Sequence, residues 1–185
     1  MIGLLEEAAL LQATLDQSGF RFCFIGGIAL QCWGQPRYTQ DLDVQLAVEF
    51  GSEMDAATRL SGLVELRAPD AVTFAASSRV FLGRTELGTP VDIAFGGTDY
   101  EERVLTRASM QPEFGIRVCS AEDLVVMKAF AGRDQDWVDV STILMRQGGR
   151  LDWRLIEQEL LLLVALRGES KLPHRLVELR RRPAH

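Results

Sequence analysis

The sequence predicts an α+β fold: a mixed β-sheet flanked by helices, followed by a C-terminal helical bundle. Two observations carry this. Short apolar runs rich in β-formers fall between residues 21 and 119, punctuated by Gly and Pro. From Ser120 onward the spacing is helical throughout, and strands segregated from later helices suggest an α+β core with a bundle. The 185 residues give room for one domain, or one domain plus a small helical extension. A seam near Ser120 divides the chain into an α/β core, 1–119, and a helical subdomain, 120–185.

The elements follow in order. Residues 3–18 carry Leu4, Leu5, Ala8, Leu11 and Leu15 at helical spacing, closed by Gly19. Arg21 to Ile25 reads as a buried strand that Gly26-Gly27 ends. Ile28 to Trp33 is a brief helix stopped by Gly34, Gln35 and Pro36. Leu42 to Val48 is a second strand, and Ser52 to Leu60 a capped helix. Val72–Ala75, Val80–Arg84 and Val91–Phe95 read as short strands between Gly83, Gly88 and Pro90. Gly96-Gly97 opens a helix from Asp99 to Arg107, and Ile116 to Cys119 is a last strand. Ser120 with Asp123 three residues on marks a helix start. Helices are expected at 121–131, 135–146, 152–166 and 172–182.

Composition excludes several classes. No run of about 18 uncharged apolar residues exists, so no membrane span is expected. The apolar start at Ile2 to Leu5 leads into Glu6 and Glu7 without a basic region, so no secretory signal is read there. Cys23, Cys32 and Cys119 sit in apolar contexts and read as buried, reduced thiols of a cytoplasmic protein. The two histidines, His174 and His185, lie near the C-terminus. A Ser-His-Asp triad, a Cys-His pair or a His-rich zinc site in the body of the chain is therefore excluded. Catalysis would run on carboxylates, Lys, Arg and hydroxyls.

The net charge of −6 is uneven, because residues 150–185 carry +3 and the remainder −9. An acidic body argues against broad nucleic-acid coating. The basic end (Lys171, Arg175, Arg180, Arg181, Arg182) reads as a solvated terminal helix, with contact to RNA or an acidic partner as the other reading.

The informative segment is Phe24-Ile-Gly-Gly-Ile-Ala-Leu, followed by Arg37-Tyr-Thr-Gln-Asp-Leu-Asp-Val. In a strand Asp41 and Asp43 point to one face. Two carboxylates so close repel, and burying them unpaired is costly. A divalent cation between them resolves this, and Mg²⁺ favours a few carboxylates, waters and substrate phosphates. Asp92, between Val91 and Ile93, repeats the pattern. If its strand lies beside that of Asp43, three carboxylates suit a site with one or two metal ions for phosphoryl or nucleotidyl transfer. Asp92 can also take the proton of an attacking hydroxyl. Gly26-Gly27 lets backbone approach a phosphate, with the free N–H groups of the next helix favouring an anion. Arg37 and Thr39 are placed to contact phosphate oxygens. Taken singly, Gly-Gly is a turn, Asp-Leu-Asp a wet strand end, and Asp92 an arginine's partner; the ordered combination is specific.

That combination resembles the signature of the nucleotidyltransferase superfamily that includes DNA polymerase β. The matching residues are Ile25, Gly26, Gly27, Asp41, Leu42, Asp43, Val44 and Asp92. Residues 119–133, Cys-Ser-Ala-Glu-Asp-Leu-Val-Val-Met-Lys-Ala-Phe-Ala-Gly-Arg, and the following Asp-Gln-Asp-Trp-Val-Asp-Val resemble the abortive-infection nucleotidyltransferase toxins. The likeness covers roughly residues 20–145. It implies a nucleotidyltransferase-like fold and Mg²⁺-dependent movement of a nucleoside monophosphate from a triphosphate such as ATP to a hydroxyl of RNA or protein. It also implies a possible antitoxin partner. By this likeness Asp41, Asp43 and Asp92 hold metal, Gly26 and Gly27 bind nucleotide beside the Arg37 and Thr39 read from position, and Lys128 and Arg133 add cationic contacts. Asp136 and Asp139 support Lys128. Lys128, one of two lysines against eighteen arginines, stands on an apolar helix face, so it either meets phosphate or forms a structural ion pair with Asp136, Asp139 or a core aspartate. Ile28 departs from the Ser or Thr of many members, and Gln135 from a frequent Lys. Small antibiotic-modifying nucleotidyltransferases, and degenerate members that bind without turnover, resemble the same layout. Trp33, Trp137 and Trp153 read as core rather than base-stacking platforms.

Overall fold

A computed structural model describes residues 3–181, so Ile2, Arg182, His185 and the last residue of the expected helix 172–182 lie outside the described residues. Contacts divide the chain into two units. One runs to Ala29 and resumes from Tyr38 to Cys119; the other takes Leu30–Arg37 and the chain from Ser120 on.

The first unit holds all seven strands: β1 (Phe22–Phe24), β2 (Leu42–Ala47), β3 (Glu65–Leu66), β4 (Val80–Arg84), β5 (Pro90–Gly96), β6 (Ser109–Gln111) and β7 (Ile116–Val118). They form one mixed sheet of order β3-β4-β5-β2-β1-β7-β6. The pairs β2–β5 and β1–β7 are parallel, and the other four are antiparallel. Helices α1 (Leu4–Gln17), α3 (Glu53–Ser61), α4 (Ala71–Ser78) and α5 (Asp99–Arg107) belong to this unit, together with the first turn of α2 (Gly26–Trp33).

Alternation along the central strands decides what is core. Leu42, Val44 and Leu46 of β2 and Val91, Ile93 and Phe95 of β5 are buried. Asp43 and Asp92 fall at intervening positions, on the other face. Strand β7, next to the edge strand β6, is tied to α1 by the Gln12 amide. Gln12 Nε2 donates to the Gly115 carbonyl at 3.0 Å, and its Oε1 accepts from Arg117 N at 2.7 Å.

One expectation fails. Val72–Ala75, read as a strand, lies inside helix α4. Val72, Thr73 and Phe74 are β-formers, but Ala71 and Ala75, four residues apart, are the pair that buries completely. Two small side chains one helical turn apart let the backbone pack closely, and Phe74 is left 42% exposed. The short strands β3 and β6 were also not expected; at two and three residues they carry no readable periodicity.

The second unit is helical: α6 (Ala121–Ala131), α7 (Asp134–Gln147), a 3₁₀ turn at Gly148–Arg150, α8 (Trp153–Ala165) and α9 (His174–Arg181). Ser120 caps α6 as its spacing predicts, its Oγ accepting from Asp123 N at 3.0 Å. Val125, Val126, Val140, Ile143, Ile156 and Leu160 supply the core, with Trp137 buried among the second unit's residues. Trp33 and Trp153 are only partly buried, so the core reading holds fully for Trp137 alone. All three cysteines are buried, as expected.

Candidate active site

The candidate site grows from the sheet register. Asp43 on β2 stands directly opposite Asp92 on β5, the strand pairing that brings the two motifs together. Both project from the same side of the parallel pair.

The turn after β1 is shaped around Asp43. Gly26 has φ +59°, in the left-handed region that glycine adopts without penalty. A Cβ there would fall 1.9 Å from Asp43 Oδ2, so no other residue leaves the carboxylate in place. A Cβ on Gly27 would lie 2.6 Å from Thr39 Oγ1. The two glycines thus make room for two different side chains. Gly27 N also points at Asp43 Oδ2, at a long 3.4 Å. Thr39 Oγ1 donates to Asp41 Oδ1 at 2.7 Å, orienting a carboxylate just ahead of β2. Thr39 therefore touches a carboxylate, in addition to any phosphate role.

Sequence reasoning missed Arg67. It lies just past β3, and its Nη1 sits 2.8 Å from Asp92 Oδ1. That oxygen is buried, yet the contact lacks hydrogen-bond geometry, so it is an ion pair by distance alone. The sequence offered no periodicity or motif that would single out Arg67.

Three carboxylates at Asp41, Asp43 and Asp92 are the hard oxygen donors that suit Mg²⁺. Asp92 Oδ1 is buried and without a hydrogen bond, with the Arg67 cation beside it by distance alone. Among the described residues, however, no three His, Cys, Asp or Glu side chains gather tightly enough to enclose a metal ion. Thr39 bonds to Asp41, and Arg67 pairs with Asp92 by distance alone.

The other predicted residues belong to the second unit and form a group of their own. Lys128, 7% exposed, donates from Nζ to Asp139 Oδ2 at 2.6 Å and lies 3.6 Å from Asp136 Oδ1. Arg37 Nε reaches Asp139 Oδ1 at 3.0 Å, and Gln135 Nε2 donates to the same oxygen at 3.0 Å. Burial, the largest influence, raises the Asp139 pKa. The hydrogen bonds from Arg37, Lys128 and Gln135, with the Lys128 charge, outweigh it and hold the carboxyl below its usual range. Arg133 Nε donates to Asp136 Oδ2 at 2.6 Å, and Arg133 N donates to the same oxygen at 3.2 Å. Gln135 thus supplies as a neutral donor what a Lys would supply as a cation.

A mixed sheet with paired aspartates on adjacent central strands, beside a glycine turn, defines a nucleotidyltransferase fold. Residues 9–184 match the family described as "Nucleotidyl transferase AbiEii toxin, Type IV TA system", and the chain belongs to that family. It is a nucleotidyltransferase of a toxin family. Its fold is similar to that of an antigenic nucleotidyltransferase-like protein from Paracoccidioides brasiliensis, with TM-score 0.54, 18% identity, and 89% of this chain and 88% of the other covered. It is also similar to the antibiotic-resistance factor ANT(2'')-Ia, with TM-score 0.52, 15% identity and coverages of 95% and 94%. No curated protein matches the chain. Among the described residues no helix is long and apolar enough to cross a membrane.

Proposed function

We propose that this chain transfers a nucleoside monophosphate from a nucleoside triphosphate to a hydroxyl of RNA or protein, as the toxin of a toxin–antitoxin pair. The observation that carries the reading is the register of Asp43 against Asp92 on parallel strands. Asp41, Asp43 and Asp92 would hold Mg²⁺, which when bound neutralises phosphate charge. The turn at Gly26 and Gly27 would admit a phosphate close to backbone N–H groups. Asp92 would accept the proton of the acceptor hydroxyl. The hydroxyl oxygen then forms a bond to the α-phosphorus, the α–β bridging bond breaks, and pyrophosphate leaves. Arg37, Lys128 and Arg133 are assigned to nucleotide phosphates. In this reading residues 1–119 carry the chemistry and 120–185 form a helical subdomain.

The test is transfer of label from an α-labelled triphosphate with Mg²⁺ present. Wild type should label an acceptor and release pyrophosphate, whereas Asp43→Asn should fall to background. Label transfer that survives Asp43→Asn sinks the mechanism.

Two other readings have an observation behind them. The fold likeness to an antibiotic-resistance factor favours a small-molecule acceptor. Expression that confers drug resistance without slowing growth would select it. Ile28 is fully buried where many members offer a hydroxyl, which favours nucleotide binding without turnover. Binding with no pyrophosphate release, over many acceptors, would select that one.

A further inference from the structure

Arg67 reaches the site along a single row of the sheet. Its backbone N donates to the Leu82 carbonyl, extending the β3–β4 pairing by one residue. Leu82 is the register partner of Asp92, and Asp92 that of Asp43. Arg67, Leu82, Asp92 and Asp43 therefore occupy one line across four strands. Residues aligned this way present their side chains to the same face. Two strand spacings, roughly 10 Å, separate the Arg67 backbone from that of Asp92. A long side chain is needed to span that distance, and the guanidinium arrives 2.8 Å from Asp92 Oδ1.

The quality of this contact is informative. Arg37 engages Asp139 through Nε and Nη2, in hydrogen-bond geometry, on a carboxylate that is 2% exposed. Arg67 reaches Asp92 by distance only, with the two side chains 27% and 37% exposed. The first is a locked fork. The second balances charge without fixing direction, and a partly solvated pair of this kind is readily exchanged.

We propose that Arg67 is a positioning residue whose guanidinium, 2.8 Å from Asp92 Oδ1, competes with a metal ion for that carboxylate. The inference rests on the reading of Asp92 as a metal ligand. With Arg67 in place, Asp43 and Asp92 do not face each other as uncompensated like charges. A metal ion at Asp92 must compete with the guanidinium, so Arg67 sets the metal affinity of the protein without nucleotide.

The experiment measures Mn²⁺ binding to the nucleotide-free full chain by electron paramagnetic resonance, for wild type, Arg67→Gln, Arg67→Lys and Asp92→Asn. Thermal melts confirm that each variant is folded. Arg67→Gln should bind Mn²⁺ severalfold more tightly than wild type, and Arg67→Lys, which keeps the charge, should stay near wild type. Asp92→Asn should bind weakly. If Arg67→Gln binds no more tightly while Asp92→Asn loses Mn²⁺, the role of Arg67 is overturned and the metal reading stands. If Asp92→Asn leaves Mn²⁺ binding unchanged, the metal reading fails and this inference falls with it.

Discussion

Gly26 and Asp43 share one space: a Cβ on the glycine would sit 1.9 Å from the carboxylate oxygen. The turn has no slack, because Gly26 also holds φ +59°. Gly26→Ala should therefore act twice. Left-handed backbone strain should cost about 1–3 kcal/mol of stability. Displacement of Asp43 should also abolish any rise in melting temperature produced by Mg²⁺ plus a triphosphate. A variant that keeps the full ligand-induced rise would remove Asp43 from the binding site.

Asp139 holds the second unit's cations together. Asp139→Ala leaves Lys128 buried with only the more distant Asp136 carboxylate beside it. Breaking a buried pair from one side costs about 3–5 kcal/mol. The urea midpoint should drop accordingly. A loss below 1 kcal/mol would mean that water reaches Lys128.

The same carboxylate gives a pH dependence. Its pKa is lowered in the fold, so the unfolded chain takes up the proton first as pH falls. The stabilisation is present above the unfolded value, about 3.9, and is lost as pH drops through the folded value below it. Between pH 7 and 5 wild type and Asp139→Asn should therefore differ by a constant amount. The gap should close as pH falls below about 4. Urea midpoints across this range measure it, and a gap that instead closes above pH 5 contradicts the assigned shift.

Gln12 is a structural prediction independent of the site. Gln12→Leu keeps approximate volume but strips partners from the Gly115 carbonyl and the Arg117 N–H. Gly115 is exposed, so its carbonyl can turn to water, and the half-buried Arg117 N–H carries the cost, at most about 1–3 kcal/mol. Hydrogen exchange at the Arg117 amide should accelerate. Unchanged protection there would show that the Gln12 bond is not what shields the Arg117 amide.

Much of this was legible in the sequence because it is periodic or depends on glycine. The spacing Asp41–Asp43, the recurrence at Asp92 and the Gly26-Gly27 pair are local patterns, and the register of β2 against β5 joins them. Gly27 was read as making room for a phosphate. The structure adds a nearer reason, the Thr39 side chain. Helix α4 was misread because its burial depends on Ala71 and Ala75, while the louder β-branched and aromatic residues face outward or half outward. Arg67 was illegible for another reason. Its role arises from strand order, β3-β4-β5-β2, and no local window reveals which strands will be neighbours. Lys128 lay between the two cases. Its apolar surroundings predicted a need for a partner, and two of the three foreseen candidates, Asp136 and Asp139, are beside it.

The two parallel pairings carry a consequence for the newborn chain. Strand β2 can zip to β1 as soon as both leave the ribosome, since they are antiparallel neighbours close in sequence. Its opposite edge must wait for β5, and β1 must wait for β7. Synthesis proceeds at about 5–20 residues per second, so Asp43 spends seconds without Asp92. A ribosome stalled before Pro90 would hold a fragment with Asp43 but not Asp92 and an open sheet edge. Whatever harm this enzyme does to its host is thereby postponed at least until half of its chain has been made.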